Sequence, residues 1–167
     1  MVWPEDVLSI VLATVLGASI GLERELSGKA AGLRTNVLIC LGAAVFTIIS
    51  KRMVEGTDGS LVRIAAQIVT GVGFLGAGAV IQDRRGVHGL TTAATIWLVA
   101  SIGMACGAGF YKLACMSALL AIIVLVVVLR LVKPIERYAA RHQTKNNSGE
   151  PDQASKAPPE SADRSEF

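Results

Sequence analysis

The sequence predicts an all-α polytopic membrane protein with about five transmembrane helices. Hydrophobic residues make up 52% of the chain, and they gather in five apolar stretches without Asp, Glu, Lys, Arg or His, at 7–22, 37–50, 64–82, 91–111 and 113–129. A helix that crosses a bilayer needs roughly 17–25 mostly apolar residues. Strands of a membrane barrel would alternate polar and apolar residues, and soluble helices would keep a polar face. Neither pattern is present, so helices in lipid are predicted.

The first stretch is predicted to be a permanent helix and not a cleaved signal peptide. A signal peptide begins with a basic segment, whereas Trp3, Pro4, Glu5 and Asp6 precede this stretch. Proline in the first turn, acids near the positive end of the helix dipole and a tryptophan at the membrane interface are typical of a helix start.

The second stretch, 37–50, is short enough to be a re-entrant segment. If the side chains of Lys51 and Arg52 extend toward the interface, the helix continues to Val54 and spans the bilayer. Spanning is the interpretation that we favour.

Lysine and arginine residues predict the orientation, because cytoplasmic loops carry their excess. One side has ten, namely Arg24, Lys29, Arg34, Arg84, Arg85, Arg130, Lys133, Arg137, Arg141 and Lys145. The other side has four, namely Lys51, Arg52, Arg63 and Lys112. The N-terminus is therefore predicted outside the cell and the C-terminus in the cytoplasm.

The chain is predicted to hold one membrane domain, 1–132, followed by a basic juxtamembrane segment, 133–143, and a tail, 144–167. The tail has almost no apolar residues and is predicted to be disordered, whereas 133–143 has the composition of a short helix at the lipid surface. Basic cytoplasmic segments that face anionic lipid are enough to account for the net charge of +3. No nucleic acid partner is therefore predicted. The three cysteines lie within apolar stretches and are predicted to be packing residues, at Cys40, Cys106 and Cys115.

Glycines are concentrated in the third stretch, where the run GVGFLG at 71–76 has the spacing G-x-G-x-x-G. A dinucleotide site would need a preceding strand, a following helix and an acid about 20 residues on, and an apolar stretch surrounds this run. Small residues instead let helices approach closely in lipid. Glycine-rich packing would place the third helix at the centre of the bundle, with Gly71, Gly73, Gly76 and Gly78 against its neighbours. Leucine at Gly73 or Gly76 would then force helices apart. A bent helix that lines a substrate path is the alternative.

Two other stretches each contain a pair of glycines that are four residues apart. They are Gly17 and Gly21 in the first stretch, and Gly103 and Gly107 in the fourth. In the third, Gln67 lies one turn after Arg63 on the same helix face. Its amide has several hydrogen-bonding groups, which predicts either an interhelical hydrogen bond or a place in a binding pocket.

Two loops on the predicted cytoplasmic side carry most of the polar chemistry. The first places Glu23, Arg24 and Glu25 before Arg34 and Thr35, which predicts an interfacial ion-pair network or a site for a cation or an anionic group. The second, 83–92, is a tight basic turn in which Thr91 or Thr92 could cap the fourth helix. No metal site is predicted, and the weak candidates for one are the carboxylates of Glu23, Glu25 and Asp83.

Three runs of this sequence resemble the MgtC/SapB family of bacterial inner-membrane proteins, over about residues 7–130. The runs are GLERELSGKAAGLRTNVL at 21–38, RIAAQIVTGVGFLGAGAVI at 63–81 and GLTTAATIWLVASIGMACGAGFY at 89–111. Longer members carry a soluble C-terminal domain, whereas the C-terminal part of this sequence is predicted to be only a disordered tail. The positions that match the family's motifs, and to which the resemblance assigns functional or packing roles, are Glu23, Arg24, Glu25, Arg34, Thr35, Arg63, Gln67, Gly71, Gly73, Gly76, Gly78, Thr91 and Thr92.

The resemblance implies a link to growth under low magnesium and, in pathogens, to survival inside macrophages. It also implies a regulator of a membrane partner such as the F-type ATP synthase, with self-association as another form of partnership. The alternative is a transporter, or a transporter subunit, for magnesium or another cation. Transport is less favoured because intramembrane acids mark ion paths, and the acids here lie at the rim. No catalytic constellation or cofactor motif is visible, so the chain is predicted not to be an enzyme.

Overall fold

The computed structural model describes residues 3–54, 60–83 and 86–127, with the side chains of 54, 60–64 and 83 excepted. The helices are α1 (Pro4–Leu26), α2 (Leu33–Val54), α3 (Ser60–Gly78) and α4 (Leu90–Ala108), followed by α5, described over Tyr111–Val127. Two short strands, β1 (Ile81–Asp83) and β2 (Gly86–His88), separate α3 from α4. The predictions for 133–143 and 144–167 lie outside the described residues.

Three helices are long and apolar enough to cross a membrane, over Pro4–Leu26, Leu33–Met53 and Leu90–Ala108, and shorter apolar helices occupy Ala65–Gly78 and Tyr111–Val127. The prediction of an all-α membrane protein with about five helices is confirmed. The α1–α2 loop and the β-hairpin before α4 lie at one end of the bundle, and the connection between α4 and α5 lies at the other. We call the end with the α1–α2 loop and the β-hairpin the loop end, and the other end the distal end.

Helix α1 begins where the sequence predicts, and α2 begins four residues before the second apolar stretch. Pro4 is the first residue of α1, and the carboxylate of Asp6 accepts a hydrogen bond from the N–H of Trp3 at 3.3 Å. Helix α2 includes Arg34 in its first turn and runs through Lys51 and Arg52 to Val54. The length and composition of α2 are those of a spanning helix. This agrees with the spanning interpretation that we favoured over a re-entrant segment.

The core lies where α1, α2, α4 and α5 meet, and it is built mostly from small side chains. Its fully or almost fully buried members include Ala13, Cys40, Ala44, Val99, Cys106 and Ala118. Small side chains let helix axes approach closely, which is the main source of attraction between helices in lipid. Cys40 and Cys106 are buried packing residues, whereas Cys115 is exposed on α5.

The prediction that α3 is the central helix is wrong. Helix α2 packs on both α1 and α4, whereas α3 lies at the edge against α4 and α2. A Cβ at Gly71, Gly73 or Gly78 would meet no other heavy atom within 4 Å, and only Gly76 faces another helix, at 3.7 Å from the Cβ of Ala93. The glycines of α3 therefore leave open surface, and a leucine at Gly73 would not force helices apart.

A β-hairpin takes the place of the last apolar residues of the third stretch. Helix α3 ends at Gly78, and Ile81 pairs with His88 in antiparallel register. Gly89, with a φ of +89°, is the N-cap of α4, and its carbonyl accepts the N–H of Ala93 at 2.9 Å. The predicted caps Thr91 and Thr92 are therefore wrong, because the helix begins at Leu90 and both threonines lie inside its first turn.

Candidate functional site

The loop end of α1 contains a buried ion pair between adjacent residues. The guanidinium of Arg24 donates from Nε to Glu23 Oε2 at 2.5 Å and from Nη2 to Glu23 Oε1 at 2.8 Å. The Arg24 side chain is 1% exposed and that of Glu23 is 12% exposed. Ser27 Oγ donates a third hydrogen bond to Glu23 Oε1 at 2.8 Å. Both oxygens of this carboxylate are therefore engaged within the last turn of α1 and the loop.

The carboxylate of Glu25 caps the next helix. Its Oε2 accepts the N–H of Leu33, the first residue of α2, at 2.9 Å. Gly32 makes this approach possible, because a Cβ at that position would overlap the carboxylate of Glu25. The loop between α1 and α2 is thus closed by an acid from one helix that caps the start of the other.

Asn36 of α2 completes a cluster of polar side chains with Glu23, Arg24 and Glu25, which we call the loop-end cluster. Its Nδ2 donates to the carbonyls of Ala31 and Gly32, each at 2.8 Å, and its side chain is fully buried. Two buried polar atoms here, Arg24 Nη1 and Asn36 Oδ1, have no hydrogen-bond partner in the described chain. Sequence reasoning missed Asn36 and Gly32 as members of this cluster. The available signal was their position between Arg24 and an apolar stretch, in a loop with several glycines.

Close contact between α1 and α2 brings the cluster together. A Cβ at Gly17 would lie 2.7 Å from the Cβ of Cys40, and one at Gly21 would lie 2.8 Å from the Cα of Leu33. Arg24 follows Gly21 by one turn and so lies on the buried face of α1. On the other side of α2, Cβ atoms at Gly103 and Gly107 of α4 would overlap the carbonyl oxygens of Cys40 and Ala44.

The other predicted positions are spread over the molecule. Arg34 and Thr35 are exposed in the first turn of α2, beside the cluster. On α4, Thr91 is exposed and Thr92 is buried. Arg63 lies in α3 and Asp83 in β1, but their side chains are outside the described residues. The structure therefore groups Glu23, Arg24, Glu25, Arg34 and Thr35 in and beside the α1–α2 loop, whereas the other predicted positions lie in α3, the β-hairpin and α4.

Gln67 lines an open groove between α2 and α3. This α2–α3 groove has a volume of ≈ 560 Å³ and an almost wholly apolar lining, formed mainly by Leu38, Gly42 and Phe46 of α2 and by Gln67, Gly71 and Leu75 of α3. Gln67 is exposed and makes no hydrogen bond to a described neighbouring helix. Gln67 therefore borders this groove, and its predicted role in a binding pocket stays a prediction.

The distal end carries a separate set of polar contacts. Arg52 of α2 forms an ion pair with Asp6 of α1. Ser9 Oγ lies 3.0 Å from the hydroxyl of Tyr111 and donates to the carbonyl of Glu5 at 2.9 Å. These contacts join the outer turns of α1, α2 and α5.

The hydrogen bonds within the loop-end cluster limit the chemistry that its carboxylates can perform. Glu23 and Glu25 already serve Arg24, Ser27 and Leu33, and the residues that the structure describes contain no group of three His, Cys, Asp or Glu placed to hold a metal ion. The exposed cationic side chains of the α1–α2 loop and the start of α2 are those of Lys29 and Arg34. The arrangement fits a rigid helix junction with a cationic rim.

The MgtC family model matches residues 10–136. The chain is 45% identical over 129 residues to Escherichia coli YhiD, whose name proposes a magnesium transporter, covering 72% of this chain and 59% of YhiD. It is also 45% identical over 129 residues to Brucella abortus MgtC, covering 77% of this chain and 53% of that protein.

A third relative is Salmonella typhimurium MgtC, 49% identical over 106 residues, which are 64% of this chain and 45% of that protein. The chain thus spans about half the length of the curated relatives it matches. No solved structure matches it. With most of its membrane helices inside the matched region, this chain belongs to the MgtC family.

Proposed function

We propose that this protein is a non-enzymatic regulator that acts by contact with another membrane protein. By family resemblance, we connect that action with growth under low magnesium and, in pathogens, with virulence and survival inside macrophages. The observation that carries the proposal is the internal use of the rim carboxylates. Glu23 is held by Arg24 and Ser27, and Glu25 caps α2.

The state of these carboxylates argues against a magnesium path through the cluster. Magnesium takes oxygen ligands in near-octahedral geometry and keeps several waters. Ligation by Glu23 would require the Arg24 guanidinium to lose a buried partner, and its positive charge would oppose a divalent cation. Ligation by Glu25 would leave the N–H of Leu33 without its acceptor.

The outward face of α3 supports contact with a partner helix. Ala66, Thr70, Gly73 and Ala77 follow one another at spacings of three and four residues, and all four are exposed. We call these four residues the outer α3 face. Small residues at this spacing let a second transmembrane helix approach closely. By family resemblance, the first partner to test is the F-type ATP synthase, and a second copy of this chain is the alternative.

The proposed location is the bacterial inner membrane, with the N-terminus outside and the C-terminus in the cytoplasm. The excess of lysine and arginine at the loop end supports this orientation. The loop-end cluster would then face the cytoplasm.

A second candidate function is magnesium transport, alone or as a transporter subunit. The observation in its favour is the proposed activity in the name of YhiD, which is 45% identical to this chain over 129 residues. Backbone carbonyls or rim acids can also form an ion path, so transport needs no acid at the midplane.

Magnesium flux into liposomes that contain the purified protein and an entrapped indicator separates the two functions. The regulator proposal expects no flux above that of empty liposomes from protein that retains its thermal unfolding transition. Flux that is lost in Glu23→Gln or Glu25→Gln would overturn the proposal and place the path at the loop end.

The contact itself is tested by photo-crosslinking in cells. A photoreactive residue at Ala66 or Ala77 should form adducts with a membrane protein, whereas the same residue at Val15, exposed on α1, should not. The adducts should be lost when Gly73→Leu is added. Equal adducts from all three positions would contradict a specific partner on the outer α3 face.

A further inference from the structure

We propose that the α2–α3 groove binds an anionic phospholipid, with one acyl chain beside Gly42 and Gly71 and the phosphate at Arg34. The groove is separate from the outer α3 face, so this inference does not depend on the proposed regulatory contact. Neither the family comparison nor the proposed function assigns a ligand to the residues of this groove.

Two glycines give the groove its depth. Because α2 and α3 run in opposite directions, Leu38 lies toward Leu75, Gly42 toward Gly71 and Phe46 toward Gln67. A Cβ at Gly42 or Gly71 would meet no heavy atom within 4 Å, so the middle of the groove is open. Leu38, Phe46 and Leu75 are each at least half exposed, which opens the groove to the bilayer.

The dimensions fit an acyl chain. From Leu38 to Phe46, α2 rises by about 12 Å at roughly 1.5 Å per residue. Along this length the walls are almost entirely carbon, within a volume of ≈ 560 Å³. A flexible hydrocarbon chain can follow such walls without leaving polar groups unpaired.

The loop end of the groove is cationic. Arg34 lies one turn before Leu38 on the same face of α2, and it is exposed and forms no ion pair with the described residues. Thr35 is exposed beside it. In the first turn of a helix, backbone N–H groups and the dipole favour an anion. Glu25 accepts the N–H of Leu33, and no acceptor in the described chain takes the N–H of Arg34 or Thr35.

The charges around this end also favour an anion. Arg24, Lys29 and Arg34 outnumber the carboxylates Glu23 and Glu25, and Glu23 is neutralised by Arg24. The groove has a cationic residue at its loop end and apolar walls along its length, and this pattern is complementary to a phospholipid with an anionic headgroup. A partner helix would instead draw on Gln67, whose amide lies at the end of the groove remote from Arg34.

The test uses purified full-length protein in nanodiscs of phosphatidylcholine that contain photoreactive phosphatidylglycerol, with a diazirine on its acyl chain. Peptide mapping after irradiation should place adducts on α2 and α3 residues of the groove. Native mass spectrometry should show retention of phosphatidylglycerol over phosphatidylcholine. Arg34→Gln should reduce that preference about fivefold, the effect of one cation at a lipid surface.

Gly71→Leu and Gly42→Leu should abolish the groove adducts, because leucine fills the open space without a clash. Gly73→Leu is the matched control, since it places the same side chain in open space on the outer α3 face and should retain the adducts. If Gly42→Leu does not fold, Gly71→Leu and Arg34→Gln still test the proposal. Gln67→Leu should retain lipid, because the methyl end of the chain lies there.

Three results would overturn the proposal: equal retention of the two lipids, adducts unchanged in Gly71→Leu, or adducts equally lost in Gly73→Leu. A photoreactive residue at Gly71 that crosslinks a second protein in cells, and no longer does so when Gln67→Leu is added, would show a helix-docking site in place of a lipid site. Loss of regulatory contact in Gly73→Leu with lipid retained would leave the lipid proposal standing alone.

Discussion

Arg24 and Glu23 are neighbours in α1, and their side chains form a bidentate ion pair with N–O distances of 2.5 and 2.8 Å, in which the guanidinium is almost fully buried. A charge in such a place requires a close partner of opposite sign. Glu23 therefore serves first to neutralise Arg24, and for this physical reason we do not assign Glu23 as a ligand of a metal cation.

Arg24→Gln should destabilise the protein by about 3–5 kcal/mol, because it leaves the carboxylate of Glu23 largely buried without its cation. The double variant Glu23→Gln/Arg24→Gln should lose less, since no uncompensated charge remains. Unfolding in mixed detergent micelles gives both values. Equal losses in the single and double variants would show that the ion pair does not govern stability here.

Gly32→Ala should loosen the start of α2. Its methyl group would occupy the position of the Glu25 carboxylate, and loss of this cap should cost about 1 kcal/mol. Hydrogen exchange of the 27–36 peptide should accelerate. Glu25→Ala should have the same effect, and the double variant should be no worse than either single change. Additive effects would mean that the two residues act separately.

The sequence predicted the helices well, because hydrophobic stretches of spanning length leave few alternatives in lipid. It did not predict how the helices pack. Gly71 and Gly103 are the same residue in similar apolar stretches, yet one borders open space and the other presses on the backbone of α2. Which glycine faces a neighbour depends on the arrangement of helices, which apolar composition does not encode.

The candidate site was predicted in part for a related reason. The charged residues near 23–36 were evident, but the pairing of Glu23 with Arg24 was not, because adjacent residues on a helix do not face each other. Only the length of the arginine side chain allows it to fold back onto its neighbour. Gly42 was missed because its role depends on α3 lying opposite.

Gly103→Ala and Gly73→Ala should have opposite effects on stability. The first places a methyl group onto the carbonyl oxygen of Cys40 and should cost about 1–3 kcal/mol through overpacking. The second meets open space and should be neutral or stabilising by up to about 1 kcal/mol, since alanine is the better helix former. Thermal unfolding in the same detergent compares them. A destabilised Gly73→Ala with intact Gly103→Ala would contradict the central position of α2.

The contact between Ser9 and Tyr111 should couple α1 to α5 at the distal end. Ser9 Oγ already donates to the carbonyl of Glu5 at 2.9 Å, so the Tyr111 hydroxyl is the donor available for the 3.0 Å contact between them. Tyr111→Phe should therefore cost about 1 kcal/mol, the net value of one hydrogen bond.

A double-mutant cycle of Tyr111→Phe with Ser9→Ala isolates this contact from the packing of the ring, which phenylalanine preserves. The expected coupling energy is about 0.6 kcal/mol, as found for interhelical hydrogen bonds in membranes. Zero coupling, with each single change still costly, would mean that both hydroxyls act through the carbonyl of Glu5, which is the alternative acceptor for the Tyr111 hydroxyl at 3.3 Å. In that case α5 would be held to the backbone of α1 and not to the side chain of Ser9.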